Sequence, residues 1–196
     1  MKKIFTLLLA FVMLLSLAAC GSGSGFMRGE TADTVYTNEA MGVSFTAPDG
    51  YIFYTDEQIA SFYGATAEVL NANSAIIYDM QCGNPATNGS ISITFENLTA
   101  LYGSAISDDS YLALTTASLR SSFNSTEGVI LSRLDQDVIE LDGVEYSCVY
   151  VTLKVNGTEF YETIVIKEQN GYMMECTVAA YDEAEMNSLL NALDIA

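Results

Sequence analysis

Histidine and tryptophan are absent from the 196 residues, and proline occurs only twice, at Pro48 and Pro85. Without histidine there are no Ser-His or Cys-His nucleophilic pairs, no imidazole acid–base chemistry and few routes to a zinc or iron site. Cations are scarce too: seven lysines and arginines stand against 25 aspartates and glutamates, a formal charge of −18. That balance argues against nucleic acid as a partner, because affinity there comes largely from Lys and Arg neutralising phosphates. No Gly-x-Gly-x-x-Gly or Walker-type loop occurs, so nucleotide binding has no local support either. Internal repeats, long charge runs and a second linker are also missing, which leaves one domain of about 160 residues, enough for a sizeable core.

What is present begins at the first residue. Met1-Lys2-Lys3 puts positive charge ahead of Ile4 to Ala19, a stretch with no charged residue, which is a signal-peptide layout. These 16 residues fall short of the roughly 20 that a spanning helix needs. Gly21-Ser22-Gly23-Ser24-Gly25 follows and suits a flexible spacer. The uncharged run ends in Leu17-Ala18-Ala19-Cys20, which resembles the bacterial lipobox. The resemblance implies cleavage ahead of Cys20 and two or three acyl chains on that residue; the other readings are an ordinary secretory signal or a spanning helix in which Cys20 is incidental. One acyl chain holds a protein only marginally, whereas two or three make release negligible. The expected organisation is a signal peptide over 1–19, a lipidated Gly/Ser-rich tether over 20–34 and a globular domain over 35–196. The protein would then be lipid-anchored to the bacterial cell membrane, facing away from the cytoplasm. Cleavage takes Lys2 and Lys3 and no acid, so the mature chain carries a formal charge of −20. Such a surface is repelled by anionic headgroups, and is either simply solvated or attractive to cations and basic partners.

Within the domain, Val43 to Ala47 alternates as a half-buried strand and Pro48-Asp49-Gly50 is turn chemistry. Thr55 and Gln58 stand at capping-box spacing, which predicts a helix from near Asp56 to about Gly64. Ala75 to Gln81 and Ser90 to Asn97 read as a hairpin with a long loop. Asp109 to Phe123 reads as a second helix with Leu112, Thr116, Leu119 and Phe123 on one face. Asp142-Gly143, Asn156-Gly157 and Asn170-Gly171 are tight-hairpin pairs. They predict an antiparallel meander of Val138 to Leu141, Val144 to Val155, Thr158 to Glu168 and Tyr172 to Ala180. Asp182 would cap a last helix carrying Met186, Leu189, Leu190 and Leu193.

The sum is an α+β fold, an antiparallel sheet with a C-terminal meander covered by about three helices. The opening Met41-Gly42-Val43-Ser44-Phe45-Thr46-Ala47-Pro48-Asp49-Gly50-Tyr51, followed by a helix, is similar to the entry of PsbP-like or Mog1-like α-β-α sandwich domains, with Tyr51 where tryptophan is frequent. That fold hosts photosystem accessory proteins, a small-GTPase-binding protein and envelope proteins, so the resemblance implies a sandwich and no particular activity. A cystatin-like sheet around one long helix is the alternative.

Asp135, Asp137, Glu140 and Asp142 are the best acidic cluster and the candidate calcium ligands, although they lack the glycine and distal glutamate of the full loop signature. Calcium is the one candidate cofactor; otherwise none is expected. Of the cysteines after Cys20, Cys148 and Cys176 would be separated by the Thr158 to Glu168 strand. Two strand spacings, about 9.6 Å, exceed the roughly 7 Å limit for a disulfide; a pairing of Cys82 stays open. Tyr51 and Tyr54, beside the first turn, are the candidate ligand- or partner-binding residues. The expectation is a non-enzymatic envelope binding or accessory module meeting another protein or an envelope polymer. The alternative is a carboxylate- or metal-dependent hydrolase, which requires at least two inward-facing acids in one cleft.

Overall fold

The structure, a computed structural model, describes residues 26–67 and 75–196; the signal segment, Cys20 and the Gly/Ser run lie outside the described residues. In chain order the elements are β1 (Glu30–Ala32), β2 (Val35–Asn38), a 3-10 turn (Glu39–Met41), β3 (Val43–Thr46), β4 (Ile52–Phe53), α1 (Asp56–Phe62), β5 (Ile76–Gly83), β6 (Ser90–Asn97), α2 (Leu98–Tyr102) and α3 (Asp108–Ser125). Then follow β7 (Val129–Leu141), β8 (Val144–Val155), β9 (Thr158–Gln169), β10 (Tyr172–Ala180), α4 (Glu183–Asn191) and β11 (Leu193–Ile195).

The meander forms at the three expected turns. Both residues of each pair have positive φ: 49° and 81° at Asp142-Gly143, 51° and 88° at Asn156-Gly157, 56° and 80° at Asn170-Gly171. A type I′ turn requires that backbone, and its twist matches the strands it joins. The first strand of the meander starts at Val129 rather than Val138. Arg133, Asp135 and Asp137 on its exposed outer part had hidden it from a reading based on apolar alternation.

Pairing between β6 and β10 joins the meander to the first hairpin. The result is a seven-stranded antiparallel sheet in the order β4-β5-β6-β10-β9-β8-β7. A second sheet, β1-β2-β3-β11, packs on one of its faces together with α4. Tyr36, Phe45, Ile91, Ile93, Phe95, Cys176 and Leu189 are all 0% exposed in that layer. On the other face, α3 lays Leu112, Leu119 and Phe123 against Val149, Val151, Leu153, Phe160 and Ile164. The α+β sandwich is the expected one, and the second sheet rules out the cystatin-like alternative of one sheet around one helix. Four α-helices stand among the described residues, the unforeseen one being the short α2.

Local rules account for the boundaries. Thr55 and Gln58 close the capping box of α1, with Gln58 Oε1 accepting from Thr55 N at 2.9 Å. Asp182 caps α4, accepting from Ala184 N and Glu185 N. Leu193, expected on the last helical stripe, instead opens β11 opposite Phe45 and is buried there. Cys148 and Cys176 both lie opposite Val165, one on each side of it, and Cys82, Cys148 and Cys176 are free buried thiols.

One buried acid ties the N-terminal residues to both sheets. Asp79 sits at the register shift between Tyr78 and Met80, with its side chain fully buried. It accepts from Tyr36 Oη at 2.6 Å, Asn38 Nδ2 at 2.8 Å and Gly29 N at 3.0 Å, and Arg28 Nε stands 3.4 Å away. Arg28 also grips Asp56 at 2.8 and 3.0 Å and the Tyr78 carbonyl at 2.7 Å. Phe26, placed by composition with the tether, packs 5.0 Å from both Phe95 and Tyr172. Asp79→Ala removes the acceptor that Tyr36, Asn38 and Gly29 share and one of the two carboxylates facing Arg28, and is expected to lower stability in urea unfolding by about 3–5 kcal/mol. A loss under about 1 kcal/mol would mean that the hub carries no structural weight.

Candidate functional site

Strand β6 reads Ser90-Ile91-Ser92-Ile93-Thr94-Phe95-Glu96. Its Ile91, Ile93 and Phe95 face the small sheet, so the pleat sends Ser92, Thr94 and Glu96 to the helix side. In β10, Met174, Cys176 and Val178 face the small sheet and leave Glu175 and Thr177 on the same helix side. β5 adds Tyr78 and Gln81, the latter flanked by Met80 and Cys82, which face the small sheet. Register then sets two polar rows across three central strands: Tyr78, Thr94 and Glu175 in one, Gln81, Ser92 and Thr177 in the next.

Helix α3 lies over β7, β8 and β9 and meets this part of the sheet through its first turn. The centre of the floor is therefore incompletely covered: Ser92 and Thr177, opposite one another on the two middle strands, are half-buried where Thr94 and Glu175 beside them are buried. Two aromatic walls flank it. On one side Tyr63, just after α1, stacks on Tyr78 with ring centroids 4.7 Å apart. On the other, Tyr102 of α2 meets Tyr111 of α3 edge to face at 6.2 Å. Tyr102 Oη donates to Glu96 Oε2 at 3.2 Å, and the Tyr111 hydroxyl engages both Glu96 and Glu175.

Glu96, Glu162 and Glu175 are 7%, 4% and 2% exposed. Desolvation raises all three carboxyl pKa values, and at Glu96 the bonds from Tyr111 and Tyr102 oppose the rise. Glu175 is raised first by burial and further by the neighbouring Glu96. Glu162, one strand over, is pushed up to about 8 by burial alone. Glu175 Oε2 and both polar atoms of the Gln81 amide are buried and have no hydrogen-bond partner among the described residues. Tyr63, Tyr78, Tyr102 and Tyr111 hydroxyls are all raised by burial and stay neutral. The cleft is thus lined by neutral phenols and by carboxyls whose protonated form burial favours, inside an acidic protein.

The residues singled out from sequence lie elsewhere. Tyr51 is half-buried and donates to Glu185 Oε1 at 2.6 Å, where Thr87 also donates. Any Cβ at Gly89 would meet both the Tyr51 hydroxyl and the Glu185 carboxylate, so Tyr51 locks the first turn to α4. Tyr54 lies over Gly83 with its ring 5.3 Å from Phe62. Asp135, Asp137, Glu140 and Asp142 are all exposed. Alternation along β7 places Asp135 and Asp137 on the face opposite Glu140, and Asp135 pairs with Arg133 at 2.9 Å. Among the described residues no three His, Cys, Asp or Glu side chains gather as a metal site. Glu96, Glu162, Glu175, Gln81 and Tyr78 went unnoticed in the sequence. Their signal was the polar half of two alternating strands, which looks the same whether that half meets water or a helix.

Among solved structures the chain is similar to cyanobacterial PsbP (CyanoP) from Synechocystis sp. PCC 6803, at 12% identity over 92% of this chain and 99% of that one, with a TM-score of 0.52. A protein of Bacteroides thetaiotaomicron VPI-5482 matches at 12% identity and a TM-score of 0.41, covering 83% of this chain and 48% of that one. LpqN of Mycobacterium tuberculosis, described as involved in cell envelope biogenesis, matches at 12% identity and 0.39 over 76% of each chain. No family model and no curated protein matches the chain. The first likeness shows the PsbP-like fold, as the opening motif and element order implied.

The raised carboxyls make stability depend on pH in a defined direction. Glu162 ionises near 4.5 when unfolded and near 8 when folded, so the folded state binds the extra proton between those values. Its contribution is complete below about 4.5 and is lost as pH rises toward 8, at up to about 1.4 kcal/mol per pH unit. Glu162→Gln removes this dependence: its melting temperature is expected to exceed that of the unaltered chain by several degrees at pH 8 and to converge with it at pH 5. Parallel melting curves across that range would contradict the burial of this carboxyl.

Proposed function

We propose that this chain is a non-enzymatic binding module of the bacterial cell envelope, held to the outer face of the membrane by a lipid on Cys20 and meeting an envelope protein or polymer through the cleft above β6 and β10. The observation that carries the binding role is the deeply buried Gln81 amide and Glu175 Oε2, without hydrogen-bond partners among the described residues, beside a half-buried floor and tyrosine walls. A fold stabilised only for itself satisfies such groups. The anchor rests on the signal-peptide layout, the lipobox-like Leu17-Ala18-Ala19-Cys20 and the Gly/Ser run that follows. Among the described residues no helix is long and apolar enough to cross a membrane.

A second reading, a carboxylate-dependent hydrolase of envelope material, draws support from Glu96 and Glu175 sharing one cleft. Two-carboxylate hydrolysis needs one acid protonated and the other ionised as base or nucleophile. Burial raises both here, so neither is set up as the readily ionised base or nucleophile of such a pair. Release of soluble fragments from purified cell wall by the unaltered chain, abolished in Glu175→Gln, would favour the hydrolase.

The anchor has a direct readout. Mass spectrometry of the mature chain from membranes should find an acylated N-terminal Cys20, and Cys20→Ala should shift most of the protein out of the membrane fraction. An unmodified Cys20 in membrane-bound protein would overturn it.

A further inference from the structure

Four acids are buried among the described residues, and they are treated in opposite ways. Asp79 is surrounded by donors, Arg28 included. Glu96, Glu162 and Glu175 have no cation near them. Of the five lysines and arginines in the described residues, Arg28 is committed to Asp56 and Asp79, Arg133 to Asp135 and Lys167 to the Ala196 carbonyl, while Arg120 and Lys154 are exposed on other surfaces. The titratable groups that act on Glu175 are Tyr111 from α3, Tyr102 from α2, Glu96 from β6, Tyr78 from β5 and Glu162 from β9, acids and phenols without a cation among them.

Glu175 Oε2 and Gln81 Oε1 are buried acceptors on the helix side of the sheet with nothing to accept from among the described residues. Charge and hydrogen bonding lack the same thing, a positively charged donor. The walls specify its kind. Stacked Tyr63 and Tyr78 present aromatic face and edge, which attract an organic cation electrostatically and rest against an apolar skeleton. A hard metal ion would want several oxygens gathered around a point, and among the described residues no such group occurs. An anion would find the Gln81 Nε2 donor but no cation, and would lie beside the Glu96 and Glu175 carboxyls.

We propose that the cleft binds a small organic cation, an ammonium group on an apolar skeleton, with its charge between Glu96 and Glu175, a hydrogen bond to the Gln81 amide oxygen and its body against the Tyr63–Tyr78 pair. This rests on the cleft being a binding site and names the ligand class for it. Entry is over Ser92 and Thr177, and the strongly acidic surface concentrates cations around the mouth. Binding exchanges charge for charge. The ammonium stabilises ionised Glu175, whose carboxyl proton leaves to solvent, so close to one proton is released for each ligand bound where that carboxyl starts protonated, and affinity rises with pH until it is ionised in the free protein.

The test is calorimetric titration of the full mature chain in neutral detergent with benzylammonium and with benzyl alcohol, its uncharged counterpart of similar shape. Benzylammonium should bind at least about tenfold tighter than benzyl alcohol at pH 8 and weaken by about tenfold for each pH unit below that. At pH 7, where Glu175 starts almost fully protonated, two buffers of different ionisation enthalpy should report release of close to one proton. Glu175→Gln should abolish both the preference and the proton release, while Asp135→Asn, on the exposed edge, should leave both unchanged. The proton count on the unaltered chain stands whether or not the Glu175 variant folds. Equal binding of the two probes, or benzylammonium binding without proton release, overturns the cation assignment and leaves the cleft as a binding site. If neither probe shifts the NMR signals of the Gln81 amide and the Tyr78 ring, the binding site itself falls with it.

Discussion

Eight residue pairs between β6 and β10, from Asn97–Tyr172 to Ser90–Ala179, hold the two halves of the domain in one sheet. The partners are far apart in the chain, so this ladder closes a long loop, which makes it the slow and decisive contact of the fold. Without it, the first hairpin and the meander would be separate small sheets, each with a free edge and half a core. With it, Ile91, Ile93 and Phe95 lie beside Met174, Cys176 and Val178 as a continuous apolar floor on which the small sheet and α4 pack. The other side of the same ladder sets Thr94 beside Glu175 and Ser92 beside Thr177. One pairing therefore creates an apolar core layer and a buried polar layer, back to back.

The contrast between Asp79 and Glu175 shows how burial alone decides little. Both carboxylates are out of water. Asp79 is met by a phenol, an amide, a backbone N–H and a guanidinium, an arrangement that keeps a charge tolerable in a low-dielectric interior. Glu175 has the Tyr111 hydroxyl, a neighbouring acid and one oxygen with no partner. The first set of contacts belongs to a structural hinge point between sheets. The second is an unfinished constellation, and unfinished constellations inside native folds are where ligands are found.

Much of the architecture was legible because it is written in local chemistry: the three Asx-Gly turns, the Thr55–Gln58 box, the Asp182 cap and the α3 stripe each determine their element from within a few residues. What was not legible depends on partners distant in sequence. β1 and β11 are three residues long and acquire strand conformation from β2 and β3, so Leu193 read as helix. The polar residues of β6 and β10 carry the ordinary pattern of a solvated face, and only the cross-pairing with α2 and α3 overhead turns Glu96 and Glu175 inward. Tyr51 was noticed for its position beside a turn, where the structure uses it as a brace to Glu185. The acidic run of β7 was noticed for its density, which the strand pleat then divides between two faces.

The packing of Phe26 has a geometric consequence. Its ring rests on Phe95 and Tyr172, on the side of the large sheet occupied by the small one, and only five residues lie between it and Cys20. At full extension that stretch reaches about 20 Å, less than the width of the domain it would carry. A lipid on Cys20 would accordingly hold the small-sheet side toward the bilayer and turn the tyrosine-walled cleft outward. The domain would stand on the membrane with a fixed top and bottom, its ligand approaching from the side of the cell wall rather than from the lipid.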